Sequence, residues 1–170
     1  NFGVPRLGDG LTYPFAIQSL TYYFFDNHIA MSINRFLIAT LTFIFGFLFC
    51  RIYLNQFSSL ICSILITFNP VSFWYPVHQY QMATPLFLIS FYLLNKFYNN
   101  PSKKLLWYNF FLFCIMVLSV SINHIVLIIP FIITWCFFRN KCLLNINFFL
   151  PIISFFSAIL FSFPQTLDFF

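Results

Sequence analysis

Six apolar runs dominate the chain, at residues 31–50, 57–73, 82–98, 105–122, 125–138 and 148–163. Crossing a bilayer as a helix takes about 20 apolar residues, within a range of roughly 17 to 25. Lipid satisfies no backbone N–H or C=O, so a chain of such runs must close its hydrogen bonds inside each segment, as helix. The in–out alternation of a membrane β-barrel is missing. Composition agrees: 61% of residues are hydrophobic and only 6% charged, against about 25% charged in a soluble domain. Eight Lys/Arg and three Asp/Glu do not cover a water-facing surface. The expected fold class is all-α: a polytopic transmembrane helix bundle of about six spans.

Prolines and polar breaks refine the spans. Asn69-Pro70 breaks the second run. Pro85 falls in the first turn of the third, where a missing N–H costs little. The fifth run is short and carries Pro130, so a tilt or kink is expected there. Pro151 stands near the start of the sixth and Pro164 ends it. Residues 15–25, "FAIQSLTYYFF", are too short to span and read as a helix lying in the interface. The chain thus divides into an outer loop with an interfacial helix (1–30), a bundle (31–164) and a short outer tail (165–170). The chain starts without Met, and the expectation is a piece of something longer.

The charges orient this arrangement. Alternating spans put the linkers 50–56, 95–104 and 139–142 on one side, with Arg51, Lys96, Lys103, Lys104, Arg139 and Lys141. The other side holds the N-terminal loop, residues 69–81, 122–124 and 164–170. Its basic residues are Arg6 and, just inside the first span, Arg35. Basic linkers stay cytoplasmic, so the N-terminal loop is expected outside. Asp9, Asp26, Asp168, His28, His78 and His124 all fall on that outer side. Trp74, Tyr75 and Tyr80 would anchor the outer interface, Trp107 and Tyr108 the inner one. The net charge of +5 is topology charge: no basic cluster is interleaved with polar residues as nucleic-acid binding requires.

Chemistry is therefore expected outside. Asp9, between glycines in "LGDGL", reads as a turn residue or as a general base or metal ligand. Asp26 and His28 in "DNH" read as a helix cap, as a pair sharing a metal, or as a carboxylate orienting an imidazole. Arg35 sits about one turn into an apolar span, where a charge is costly. It either snorkels or pairs with Asp26, or it holds a phosphate through its bidentate guanidinium. Arg6 is a weaker version of the same reading. His78, Gln79, Tyr80 and Gln81 form a polar patch suited to sugar hydroxyls and faces, or simply an interfacial connector. His124, after Asn123, reads as part of a polar turn or of the same patch. Three lone histidines at unrelated spacings define no zinc site. Cys50, Cys62, Cys114, Cys136 and Cys142 lack CxxC spacing and read as small buried hydrophobes. No P-loop, GxGxxG, GxSxG or HExxH occurs.

Three stretches, "FGVPRLGDGLTYPF" (2–15), "FCRIYLNQFSSLICSILITFNP" (49–70) and "HQYQMATPLFLISFYLLNKF" (78–97), carry a family likeness. In this order of outer loop, interfacial helix, spans and His/Gln patch, the chain resembles the YfhO-type bacterial membrane proteins. More widely it resembles the GT-C superfamily of polytopic glycosyltransferases. The likeness covers roughly the first hundred residues, and the later spans fit only in number and hydrophobicity.

The resemblance implies an exterior-facing enzyme of the bacterial plasma membrane. It would move a sugar from a polyprenyl-phosphate donor to a cell-envelope glycan, lipid or protein, with membrane lipid and the lipid-linked sugar as partners. It leaves the cofactor open, a divalent metal included. It places the family's acid in the first outer loop, upstream of residue 1, with Asp9 and Asp26 as acids within this chain. Arg35 and Arg6 would face the departing phosphate; His28, His78, Gln79, Gln81 and His124 would meet substrate. The alternatives are a transporter or flippase segment and a non-catalytic assembly subunit.

Overall fold

The computed structural model describes residues 20–69, 83–119, 122–140 and 146–162, and these are all-helical. Seven helices occur among the described residues: α1 (Leu20–Phe24), α2 (Asn27–Cys50), α3 (Gln56–Thr67), α4 (Ala83–Asn99), α5 (Lys103–Ser119), α6 (Ile122–Asn140) and α7 (Ile146–Ser162).

Local chemistry sets the ends of these helices. The last turn of α2 is closed by Arg51 N–H on the Phe47 carbonyl at 2.9 Å and Leu54 N–H on the Cys50 carbonyl at 2.9 Å. Asn55 then caps α3, its side-chain oxygen accepting from the Ser58 N–H at 2.8 Å. This is a conventional use of Asn, whose short amide satisfies an otherwise orphaned donor. At the other end of α3 the Asn69 amide donates to the Ile66 carbonyl at 2.7 Å. Between α4 and α5, Ser102 accepts from the Leu105 N–H at 3.3 Å, so Pro101 and Ser102 make a tight connection.

Helix lengths depart from the sequence reading in places. α2 starts four residues before the run at 31–50 and is about 36 Å long for its 24 residues. Among the described residues it alone is long and apolar enough to cross a membrane; the apolar stretches Gln56–Thr67, Ile128–Phe138 and Phe149–Phe161 are shorter. α3 stops at Thr67 after 12 residues, about 18 Å, well short of the span drawn from 57 to 73. Helix α6 runs unbroken through Pro130, and α7 through Pro151. Of the interfacial helix expected over 15–25, the single turn of α1 lies within the described residues.

Packing joins α2 to α3 and α4, α4 to α5, and α5 to α7, with lighter contacts of α6 on α7 and α4. The main core draws Phe91 and Leu94 from α4, Phe113 and Met116 from α5, Ile132 and Cys136 from α6, and Phe155 from α7. Ring pairs fix the relative directions: Phe87 meets Phe131 and Phe91 meets Trp135, so α4 and α6 run the same way. Phe49 of α2 reaches the same Trp135 at 6.0 Å.

The sorting of side chains is the main physical fact of this fold. Inside, beside the Phe, Leu and Ile core, lie Asn34, Thr42, Ser59, Ser63, Thr67, Ser90, Asn95 and Asn109, together with Gly46. Outside lie Phe36, Phe57, Leu65, Phe111, Phe131, Phe138, Leu160 and Phe161, each more than half exposed. Water would drive the opposite arrangement, because each exposed large apolar side chain forgoes about 1.5–3 kcal/mol of burial. Such a surface is compatible with lipid, where small and polar residues mediate helix contacts and bulky apolar ones face the chains.

Candidate functional site

Two ends of the bundle carry its polar groups. At one end α2 begins: Asp26 holds the N-cap position without a side-chain cap hydrogen bond, and His28 is exposed, its carbonyl accepting from Ser32 Oγ at 2.9 Å. Arg35 lies on the outward face beside the exposed Phe36 and Leu37, not among the helices. Helical geometry relates the three. Asp26 and Arg35 are nine residues apart, roughly 13 Å along the axis and half a turn around it. The expected Asp26–Arg35 pair therefore does not form. His28 and Arg35, seven apart, share one face two turns from each other.

The remaining expected site residues stand elsewhere. Arg6, Asp9, His78, Gln79 and Gln81 lie outside the described residues, and the backbone of His124 is in the first turn of α6. Among the described residues no three His, Cys, Asp or Glu side chains come together as a metal site. Cys50 faces Cys62 across the α2–α3 hairpin, and both thiols are free.

The opposite end is cationic. Arg51 follows α2, Lys96 is in the last turn of α4, and Lys103 and Lys104 open α5. Trp135 ties this end together, with Phe49, Tyr53 and Phe91 all within about 6 Å, ring centre to ring centre. Lys96 Nζ sits 4.8 Å over the Tyr92 ring and Lys104 Nζ 5.7 Å over Tyr108. Each cation thus rides on an aromatic one helical turn away, as expected for side chains reaching a membrane interface.

Sequence reasoning missed a set of buried polar atoms near this end. Asn95 Oδ1, Asn109 Oδ1, Trp135 Nε1 and Ser154 Oγ are buried with no hydrogen-bond partner, while the buried Tyr98 hydroxyl meets the Cys136 thiol. Asn109 has no exposed surface; its amide nitrogen donates to the Leu105 carbonyl at 3.2 Å, which leaves the oxygen unused. The available signal was an Asn inside an apolar run, in "YLLNKF" and "LWYNFF". Weighting only ionisable residues passed over it.

No protein-family model matches the chain, and no curated protein or solved structure is significantly similar to it. The class defined by the fold is that of an all-helical protein with a lipid-compatible exterior.

Proposed function

We propose that the chain is part of an integral membrane glycosyltransferase of the GT-C type, passing a sugar from a polyprenyl-phosphate donor to an acceptor outside the membrane. The observation that supports the membrane part is the exposed apolar surface just described, with Phe36, Phe57, Leu65, Phe131, Phe138 and Phe161 each more than half exposed. About six spans, at 31–50, 57–73, 82–98, 105–122, 125–138 and 148–163, would alternate across the bilayer. Support for the alternation comes from the shared direction of α4 and α6 and from Arg51, Lys96, Lys103 and Lys104 gathering at one end. By the positive-inside bias that end is cytoplasmic. Sugar transfer itself is supported by the likeness of stretches 2–15, 49–70 and 78–97.

In this reading an acid removes the proton of the acceptor hydroxyl as it attacks the sugar. Asp9 or Asp26 would assist, with the principal acid upstream. Arg35, with Arg6, stabilises negative charge building on the departing phosphate. His28, on the Arg35 face of α2, would meet the donor; His78, Gln79, Gln81 and His124 would line the acceptor side. Reconstitution of the full-length protein with a polyprenyl-phosphate sugar tests the assignment. Arg35→Ala is expected to slow transfer by about 10²-fold, as for loss of one preorganised donor to a developing anion. Unchanged transfer removes Arg35 from the mechanism.

A second reading, a transporter or flippase segment, draws on the buried unpartnered oxygens of Asn95, Asn109 and Ser154. Polar atoms held within a bundle commonly mark a substrate path. Transbilayer movement of a labelled lipid-linked sugar, without transfer, would favour it. A reconstituted protein that neither transfers nor translocates is the signature of a non-catalytic assembly subunit.

A further inference from the structure

Helices α5 and α7 meet along a groove of about 340 Å³. Its walls include Trp107, Phe110 and Leu150, with Ser154 and Ser157 as hydroxyls and Lys103 at its edge. We infer that this groove binds one anionic glycerophospholipid, its phosphate on Lys103 and one acyl chain between the two helices. The inference rests on the bilayer reading above.

Charge complementarity selects the occupant. Every carboxylate side chain in the sequence belongs to Asp9, Asp26 or Asp168. Among the described residues the sole acid is Asp26, at the start of α2, whereas Lys103 lies at the end of the bundle where α2 finishes. Lys103 therefore has no carboxylate partner among the described residues. Its neighbour Lys104 is placed over Tyr108, which leaves Lys103 as the cation of the groove. An anion must come from outside the chain, and at a membrane surface the abundant one is a lipid phosphate. Basic residues between helices on the cytoplasmic side commonly hold such headgroups.

The walls match the rest of a lipid. Phe110 and Leu150 offer methylene and ring surface to an acyl chain. The volume lies at the small end of ligand sites, which run from about 300 Å³ upward, so it takes one chain and leaves the other in bulk lipid. Ser154 Oγ is buried and unpartnered, a costly state in an apolar setting. A glycerol ester carbonyl would accept its hydrogen bond. Trp107, 60% exposed, stands where an indole prefers to lie, at headgroup level.

The test uses the full chain in phosphatidylcholine vesicles with and without a minor fraction of phosphatidylglycerol. Flotation reports insertion, and native mass spectrometry of the extracted protein reports retained lipid. Wild type is expected to float in both and to retain phosphatidylglycerol in preference to phosphatidylcholine. Lys103→Gln should lower that retention by about fivefold, the loss expected for one interfacial lysine. Lys103→Arg should keep it, and Lys104→Gln should leave it nearly unchanged. Ser157→Phe, which fills the groove while leaving the charge, should abolish it. A protein that floats but shows no lipid preference, or equal losses for Lys103→Gln and Lys104→Gln, overturns the site and leaves the bilayer reading intact. Failure to float overturns both.

Discussion

The α2–α3 hairpin and the α5–α7 pair solve the same problem in opposite ways. In the hairpin the buried residues are small and recur every fourth position: Thr42, Gly46 and Cys50 on α2, Ser59, Ser63 and Thr67 on α3. A Cβ built on Gly46 would lie 3.6 Å from Ser63 Cβ and 3.7 Å from Ser63 Cα, so the two backbones nearly touch. The hydroxyls there are satisfied within their own helix. Ser59 donates to the Asn55 carbonyl at 2.7 Å, Ser63 to Leu60 at 2.8 Å and Thr67 to Ser63 at 2.7 Å. The α5–α7 contact instead uses large rings, with Phe113 edge-on to Phe155 at 5.0 Å. Rings cannot pack as closely as backbones, and this pair leaves a groove and an unused hydroxyl at Ser154. Close small-residue packing satisfies its hydroxyls within the helix; ring packing leaves a groove beside it.

The contrast breaks most readily at the rings. Phe155 is 1% exposed and Phe113 fully buried. Phe155→Ala should cost about 3 kcal/mol, the lower end of the range for a buried ring, since lipid removes part of the transfer term and leaves the cavity term. Unfolding of the micelle-bound protein by SDS titration measures it. The hairpin should break by the reverse change. Gly46→Leu would drive a branched side chain into the α3 backbone and cost about 2 kcal/mol through overpacking. Gly46→Ala should be neutral or stabilising by up to about 1 kcal/mol, because the 3.6 Å approach is ordinary contact and Ala is the better helix former. If Ala proves as harmful as Leu, the hairpin is not held by backbone proximity.

A smaller effect isolates how the hairpin starts. Asn55→Ala removes the acceptor for Ser58 N–H and should cost about 1 kcal/mol. Asp26→Ala should cost much less, since Asp26 makes no side-chain cap bond. The same denaturation titration compares the two.

Much of this architecture was legible in the residues. The apolar runs announced helices, and α2 and α4–α7 overlap five of the six runs, although among the described residues only α2 is long and apolar enough to cross a membrane. The second run is expected over 57–73 with a break near Asn69-Pro70, and residues 70–73 lie outside the described residues. The helix itself stops at Thr67, where the Asn69 amide donates to the Ile66 carbonyl. The expected fifth run passes through Pro130, and α6 does continue through it: within a packed helix a proline need not end the segment. The candidate site was less legible. Spacing alone put Asp26 and Arg35 near each other in the chain, but the 100° step of a helix turns them apart. The unpaired Asn and Ser oxygens were hidden because their meaning depends on partners supplied by other helices.

The finest test of the contrast lies in those oxygens. Ser63→Ala deletes a hydroxyl that serves only its own helix, and the Leu60 carbonyl keeps its ordinary helical role. The change should stay within about 0.5 kcal/mol. Asn109→Leu deletes an amide whose oxygen is unpartnered, at similar volume, so it should be neutral or slightly stabilising. Asn95→Leu should behave the same way, for the same reason. If these oxygens serve a substrate path, activity of the reconstituted protein should fall on either substitution while its resistance to SDS does not. A loss above about 1 kcal/mol on Asn109→Leu would mean that its amide is already paired within the fold. The buried oxygens of the two regions would then be alike, and the distinction between a closed hairpin and an open, ligand-ready pair would have to rest on the groove beside Lys103 alone.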